Sequence, residues 1–131
     1  MLFFYCLQKW KICINYTLSF IFQILNFLIM SQKILVTNYS YSVTSEEFKN
    51  MTAELAPAFA DVPGCLWKIW LIDDEKKEAG AIYLFKDDES LQNFKSSPLV
   101  AAVLSHPALS NFDLKERDIL KAVSEITHAP L

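Results

Sequence analysis

The chain has few of the residues from which common catalytic and cofactor-binding motifs are built. Its 131 residues include only two glycines, two histidines and three cysteines. Two well-separated glycines exclude a Gly-rich phosphate loop and a nucleophile elbow. The cysteines, Cys6, Cys13 and Cys65, have no CxxC spacing, so the sequence predicts no disulfide framework and no zinc site. A reducing compartment, the cytoplasm, is therefore expected.

A concentrated positive charge is also missing. The formal net charge is −3 at pH 7, and the lysines and the single arginine do not cluster. This balance argues against a nucleic-acid partner. The length favours one domain with a core large enough to fold without metal or disulfides.

Residues 1–30 lack acidic side chains altogether, and their only charges are Lys9 and Lys11. All 15 acidic residues lie further along the chain. We therefore expect a boundary near Met30, between an apolar leader over residues 1–30 and a domain over residues 31–131.

Three explanations of the leader stay open. Its lack of Gly, Ala, Val, Pro and Arg favours a wrongly assigned translation start, with Met30 as the true one. Residues 12–30 form a charge-free run of about the length that crosses a membrane, which would make them an anchor. A cleaved signal peptide would need small residues before Ser31, and none stand there.

The order of elements after residue 31 is predicted as β-α-β-β-α-β. Residues 34–41 form a first strand, and a Thr44–Glu47 capping box starts a helix whose last turn Pro57 should loosen. Residues 63–70 and 78–85 form a hairpin around a charged loop. A helix opens at Asp87 and stops near Ser97, a second helical piece covers residues 99–104, and a last strand covers residues 112–123.

This order is the ferredoxin-like split motif, an α+β fold. One such sheet leaves a face uncovered, and two sheets placed face to face close a barrel. A homodimer is therefore expected.

The hairpin carries a resemblance to a known family. The sequence Pro-Gly-Cys-Leu-Trp-Lys-Ile-Trp at residues 63–70, an acidic loop, and Glu-Ala-Gly-Ala-Ile-Tyr-Leu-Phe at residues 78–85 resemble the YdhR-type mono-oxygenases. The resemblance covers about residues 33–131 and is loosest at residues 97–110. It implies a dimeric α+β barrel related to the antibiotic-biosynthesis mono-oxygenases.

The resemblance further implies an oxygenase that works without flavin, haem or metal. In that chemistry a phenol, quinol or anthrone-like substrate is deprotonated, and its anion passes an electron to dioxygen. The protein supplies a dry aromatic pocket, a proton acceptor and donors to the developing oxyanion. Cofactors are expected to be absent, and a small aromatic compound and dioxygen are the expected partners.

Seven residues have side chains of the type this chemistry needs. The catalytic candidates are Asn38, Trp67, Trp70 and His106, and the candidates for ligand contact are Tyr39, Tyr83 and Phe85. Each also has a structural explanation, as a core aromatic, a satisfied strand amide or a helix-end histidine.

The two tryptophans lie three residues apart in the strand. They should face opposite sides of the sheet, so at most one would line a cavity. Lys68 between them is expected to pair with Glu78 across the hairpin, and Cys65 to be a small buried thiol.

Two other functions stay open on the same fold, since a fold does not determine a function. One is a non-catalytic dimer that binds a small ligand. The other is a haem-degrading relative, because such members of the superfamily use an Asn, a Trp and a His. This chain offers Asn38, a tryptophan and His106 for those roles.

Overall fold

The computed structural model describes residues 17–21 and 31–131. Residues 17–21 are helical and belong to the unit Met1–Ser31, while Gln32–Leu131 forms a second unit. The predicted leader therefore lies almost wholly outside the described residues, and its three explanations remain predictions. Among the described residues, none of the helices has both the length and the apolar character needed to cross a membrane.

The second unit contains four strands and four helices, in the predicted order up to the last strand. The strands are β1 (Lys33–Tyr41), β2 (Cys65–Asp73), β3 (Glu78–Phe85) and β4 (Leu109–Asp118). The helices are α1 (Ser45–Ala60), α2 (Asp88–Lys95), α3 (Pro98–Leu104) and α4 (Lys121–Ile126). The strands form one antiparallel sheet in the order β2-β3-β1-β4, which confirms the ferredoxin-like α+β fold.

Local sequence signals explain the first two helices. At the start of α1, the Glu47 amide donates to Thr44 Oγ1 at 3.2 Å, and the Thr44 amide donates to Glu47 Oε2 at 2.9 Å. Asp87 caps α2 by accepting from the Ser90 amide at 2.8 Å. Helix α1 continues through Pro57 to Ala60.

The last strand differs from its prediction at both ends. Strand β4 begins at Leu109, because a bulge opposite β1 and a left-handed residue, Asn111, extend the pairing toward the preceding loop. It ends at Asp118 and is followed by α4. The predicted strand over residues 112–123 was therefore wrong in its second half, where Leu120, Val123 and Ile126 recur every three residues, as in a helix.

The helices α1 to α3 cover one face of the sheet, called here the helix face. Leu35, Tyr83 and Phe85 on this face are buried together with Phe59 of α1 and Phe94 of α2. The opposite face is called the open face. Cross-strand pairs place Val36, Ile69 and Ile82 there, and the side chain of Ile69 is 48% exposed.

Gly80 allows β3 to approach β1 closely. A Cβ atom built at Gly80 would lie 2.1 Å from the carbonyl oxygen of Thr37. The backbone therefore requires glycine at this position for the observed register.

Candidate active site

Two neighbouring cavities open on the helix face and share the ring of Phe59. The sheet cavity lies between the sheet, α2 and α3, and is lined by Leu35, Thr37, Tyr39, Phe59, Tyr83, Phe94, Val100, Val103, Leu104, Phe112 and Leu114. The Lys68 pocket lies at the edge strand β2, where α1 crosses it, and is lined by Ala56, Phe59, Ala60, Cys65, Leu66, Trp67, Lys68 and Trp70.

The sheet cavity is small and almost wholly apolar. Burial raises the pKa of Tyr39 to about 12 and raises that of Tyr83 further, so both phenols stay neutral near pH 7. The hydroxyl of Thr37 accepts from the Ala81 amide at 3.1 Å and is already satisfied. The volume is about 40 Å³, well below the roughly 300–1,000 Å³ of typical ligand pockets.

The Lys68 pocket is large enough for a small aromatic compound. Its volume is about 300 Å³, at the lower end of the range for ligand sites. Among its lining residues only Lys68 and Cys65 carry groups that titrate. The Cys65 thiol lies 3.4 Å from the Trp67 carbonyl oxygen, and burial raises its pKa.

The amine of Lys68 lies inside an aromatic cage. Its Nζ atom is 3.2 Å from the ring centre of Phe59, 3.1 Å from that of Trp70 and 4.7 Å from that of Tyr83. Burial lowers the pKa of Lys68 to about 6, because the charged form loses its hydration. The ring faces oppose this shift, since they attract a cation.

This position corrects the expected ion pair between Lys68 and Glu78. In the observed register Lys68 lies opposite Tyr83, while Glu78 lies opposite Asp73 at the hairpin end. Strand β2 pairs irregularly between Cys65 and Trp67, and this irregularity fixes which residues of β2 face the helices.

Both tryptophans line the Lys68 pocket, although the spacing predicted that at most one would. Trp70 lies opposite Ala81 on the helix face, and its ring packs edge-on to Phe59 with centres 5.2 Å apart. Trp67 lies opposite Leu84 on the open face, and its indole N–H donates to the Pro130 carbonyl at 2.7 Å. The prediction from strand alternation was wrong because side chains from both faces of an edge strand can reach a pocket at the edge of the sheet.

The other candidate residues are scattered. Asn38 lies on the open face, where it is exposed and paired with Gly80 and Asp113. His106 lies in the turn after α3, outside both cavities, and its Nδ1 accepts from the Ala108 amide at 3.2 Å. Phe85 is fully buried in the core. The described structure thus unites Tyr39 with Tyr83 and Trp67 with Trp70, and brings neither Asn38 nor His106 to them.

Lys68 and Phe59 are the pocket residues that sequence analysis missed. A signal for Lys68 was present, because it is the one charged residue in the apolar run Cys-Leu-Trp-Lys-Ile-Trp-Leu-Ile. Its even spacing from Trp70 places both on the same face of a strand. The contribution of Phe59 depends on how α1 crosses β2, which no local pattern encodes.

A third cleft, of about 570 Å³, opens beside Gly64 between the end of α1 and helices α2 and α3. Its lining includes the carboxylates of Asp61, Asp87 and Glu89 and the amine of Lys86. Three carboxylates would repel an aromatic anion. The cleft is therefore a poorer candidate than the Lys68 pocket. Among the described residues, no group of three or more His, Cys, Asp or Glu side chains could hold a metal ion.

Family comparison agrees with the fold. The family model described as "Putative mono-oxygenase ydhR" matches residues 34–130. Because this match spans most of the chain, the protein belongs to the ydhR mono-oxygenase family. No curated protein sequence matches the chain.

Solved structures with the same fold include oxygenases. A variant of SnoaB, a cofactor-independent oxygenase from Streptomyces nogalater, is 18% identical, with a TM-score of 0.58 over 70% of this chain and 95% of that one. The haem degrader MhuD from Mycobacterium tuberculosis is 19% identical, with a TM-score of 0.54 over 67% of this chain and 95% of that one. At such identities the likeness concerns the fold alone.

Proposed function

We propose that the protein is a mono-oxygenase that oxidises small phenol, quinol or anthrone-like compounds without an organic cofactor or metal. The observation that carries the proposal is the Lys68 pocket, which is walled by Phe59, Trp67 and Trp70 and has volume for one small ring system. Aromatic walls bind a flat substrate by stacking and keep water away from its reactive anion.

The reaction needs only the substrate and dioxygen. Loss of a proton gives an anion, which passes one electron to dioxygen. The two resulting radicals combine into a peroxide anion, which takes up a proton to become a hydroperoxide. For an anthrone, loss of water then leaves a quinone, so that one oxygen atom enters the product and the other leaves as water. The pocket contributes orientation and water exclusion to these steps.

A homodimer and a cytoplasmic location belong to the same proposal. The open face of the sheet presents Ile69 and Leu71, which are 48% and 41% exposed. A second copy placed on this face would bury them and close the expected barrel.

The haem alternative has less support. Asn38 and the tryptophans could act together on one haem only if they shared a cavity. Asn38 lies instead on the open face, and His106 lies in a turn outside both cavities. Haemin titration followed at the haem absorbance band tests this alternative directly, and micromolar binding would favour it.

Oxygen consumption tests the proposal. Purified protein is mixed with an anthrone or a hydroquinone in an oxygen electrode, and Trp70→Leu is compared with Phe112→Leu. Both changes replace a ring by leucine, but Phe112 lines the sheet cavity and not the Lys68 pocket. We expect Trp70→Leu to lower kcat/KM by about tenfold, which corresponds to ~1.4 kcal/mol of transition-state stabilisation, and Phe112→Leu to change it by less than about twofold.

The opposite pattern would move the site to the sheet cavity. Saturable binding of the same compounds, with no oxygen uptake by the unmodified protein, would instead show a non-catalytic binding protein.

A further inference from the structure

Among the described residues, Lys68 has no hydrogen-bond or ion-pair partner, in contrast to the other lysines of residues 31–131. Every other lysine within residues 31–131 contacts a carboxylate or a backbone carbonyl. Around Lys68 the described residues provide neither, only the rings of Phe59, Trp70 and Tyr83. Partial burial of an amine without a counter-charge lowers the stability of the folded protein. Its position at the wall of a pocket of about 300 Å³ therefore points to a ligand.

The groups that face Lys68 leave it as the available base in the pocket. Cys65 on β2 and Tyr83 on β3 are the titratable neighbours, and burial raises the pKa of both, so they stay protonated near pH 7. Helix α1 contributes Phe59 and two alanines, which do not titrate. With its own pKa lowered to about 6, Lys68 carries a free lone pair near pH 7.

We propose that Lys68 Nζ accepts the proton from the acidic hydroxyl of the aromatic substrate, and that the ammonium and phenolate then pair among Phe59, Trp70 and Tyr83. This inference rests on the proposed function, because it takes the same pocket as the substrate site. It assigns the chain a catalytic residue and a substrate class.

The step conserves charge and changes no oxidation state. The substrate O–H bond breaks, its electron pair stays on oxygen, and the proton bonds to the lone pair of Nζ. The phenolate then supplies the counter-charge that the protein lacks, and the ring faces attract the new ammonium. Both effects raise the proton affinity of the amine once the substrate is bound.

The same geometry sets a preference among substrates. An ordinary phenol such as that of tyrosine has a pKa of about 10. This is about four units above the pKa of Lys68, about 6, in the protein without ligand. Phenols made more acidic by electron-withdrawing groups, such as nitrophenols and hydroxyquinones, therefore transfer their proton more readily. We expect affinity to rise with the acidity of the hydroxyl across phenols of similar size.

Absorbance of 4-nitrophenol tests the proton transfer without oxygen chemistry, since its anion absorbs at longer wavelength than the neutral form. At about pH 6.5 the free compound is mostly neutral. We expect the full-length protein to convert bound 4-nitrophenol to its anion, and Lys68→Met to abolish this band. Lys86→Met serves as the control, because Lys86 lines a different cleft, and it should retain the band. Neutral 4-nitrophenol in the unmodified protein, an anion band in Lys68→Met, or no binding would each overturn the inference.

A second variant separates a proton acceptor from a fixed cation. Lys68→Arg keeps a positive charge but has no lone pair to offer. Binding of 4-nitrophenol should release about one proton to the medium from Lys68→Arg and none from the unmodified protein, as read by a pH indicator in weak buffer. Proton release by the unmodified protein would show that Lys68 is already charged and would overturn the inference.

Oxygen uptake, measured separately, distinguishes this inference from the proposed function. If 4-nitrophenol binds as its anion but no oxygen is consumed, the role of Lys68 is supported and the proposed oxygenase activity is contradicted. If oxygen is consumed but 4-nitrophenol binds in its neutral form, the oxygenase activity is supported and the role of Lys68 is contradicted.

Discussion

At the residue scale, the environment of Lys68 sets two opposing forces against each other. Burial in the cage disfavours the charged amine, while the faces of Phe59 and Trp70 attract it. The loss of hydration is the main cause of the lowered pKa of Lys68, about 6. An unfolded lysine has a pKa of about 10.4, so folding releases a proton from Lys68 at neutral pH.

Because of this proton release, the destabilisation that buried Lys68 causes depends on pH. Between about pH 6 and pH 10 the unfolded chain binds more protons at this position than the folded chain, so stability rises with pH, by at most about 1.4 kcal/mol per unit. Below about pH 6 both states are protonated and the penalty is constant and largest. Lys68→Met should therefore be more stable than the unmodified protein at pH 6, with a difference that shrinks toward pH 9.

Urea unfolding at pH 6, 7.5 and 9 measures this difference. The comparison cancels the titration of shared groups that do not interact with Lys68. A difference that stays constant across the three pH values would show that Lys68 is not desolvated in the folded protein.

At the scale of elements, capping and close approach position the pocket wall. Helix α1 presents Phe59 near its C-terminal end, while its N-terminal end is fixed by the reciprocal bonds between Thr44 and Glu47. Strand β3 comes close enough to β1 only because Gly80 has no side chain. The pocket therefore depends on the placement of α1 and β3, and the residues that fix these two elements lie outside the pocket.

Removal of the cap should weaken the protein without altering the pocket's chemistry. Thr44→Ala leaves the Glu47 amide without its acceptor, and we expect a loss of about 1 kcal/mol, or about 4–8 °C in Tm for a domain of this size. Thermal unfolding followed by circular dichroism measures it.

Thr52→Ala is the matched control in the same helix. Its hydroxyl donates to the Lys49 carbonyl one turn back and caps no helix end, so its loss should change stability by less than about 0.5 kcal/mol. Equal losses for the two variants would show that the capping box contributes nothing.

At the scale of the whole molecule, the two faces of the sheet differ in what covers them. The helix face is closed by α1 to α3, whereas the open face keeps Ile69 and Leu71 partly exposed. Exposed apolar side chains that share one sheet face are typical of a docking surface. The proposed homodimer would use this surface.

A charge on the open face should separate the proposed dimer. Ile69→Lys would place an ammonium on the proposed interface in place of an apolar side chain. We expect the mass from light scattering to fall from that of a dimer to that of a monomer. Ala101→Lys, at an exposed position of α3, is the control and should leave the mass unchanged. A monomeric unmodified protein would contradict the proposed dimer outright.

The sequence by itself determined the order of the elements up to the last strand, the hairpin, the Thr44 capping box and the family. These features depend on residues close together in the chain, where alternation, caps and turns act locally. The resemblance at residues 63–85 also covers the strand that carries Trp67, Lys68 and Trp70.

Only the tertiary structure decided which side chains share a cavity. Asn38 was the polar candidate in the first strand, but the register of β1 with β3 places it on the open face and places its neighbour Thr37 on the helix face. The caged amine of Lys68 likewise required α1 to bring Phe59 across β2. A shift of one residue in register exchanges the two faces of a strand, and the register of β1 depends on its pairing with β3, which lies far away in the sequence.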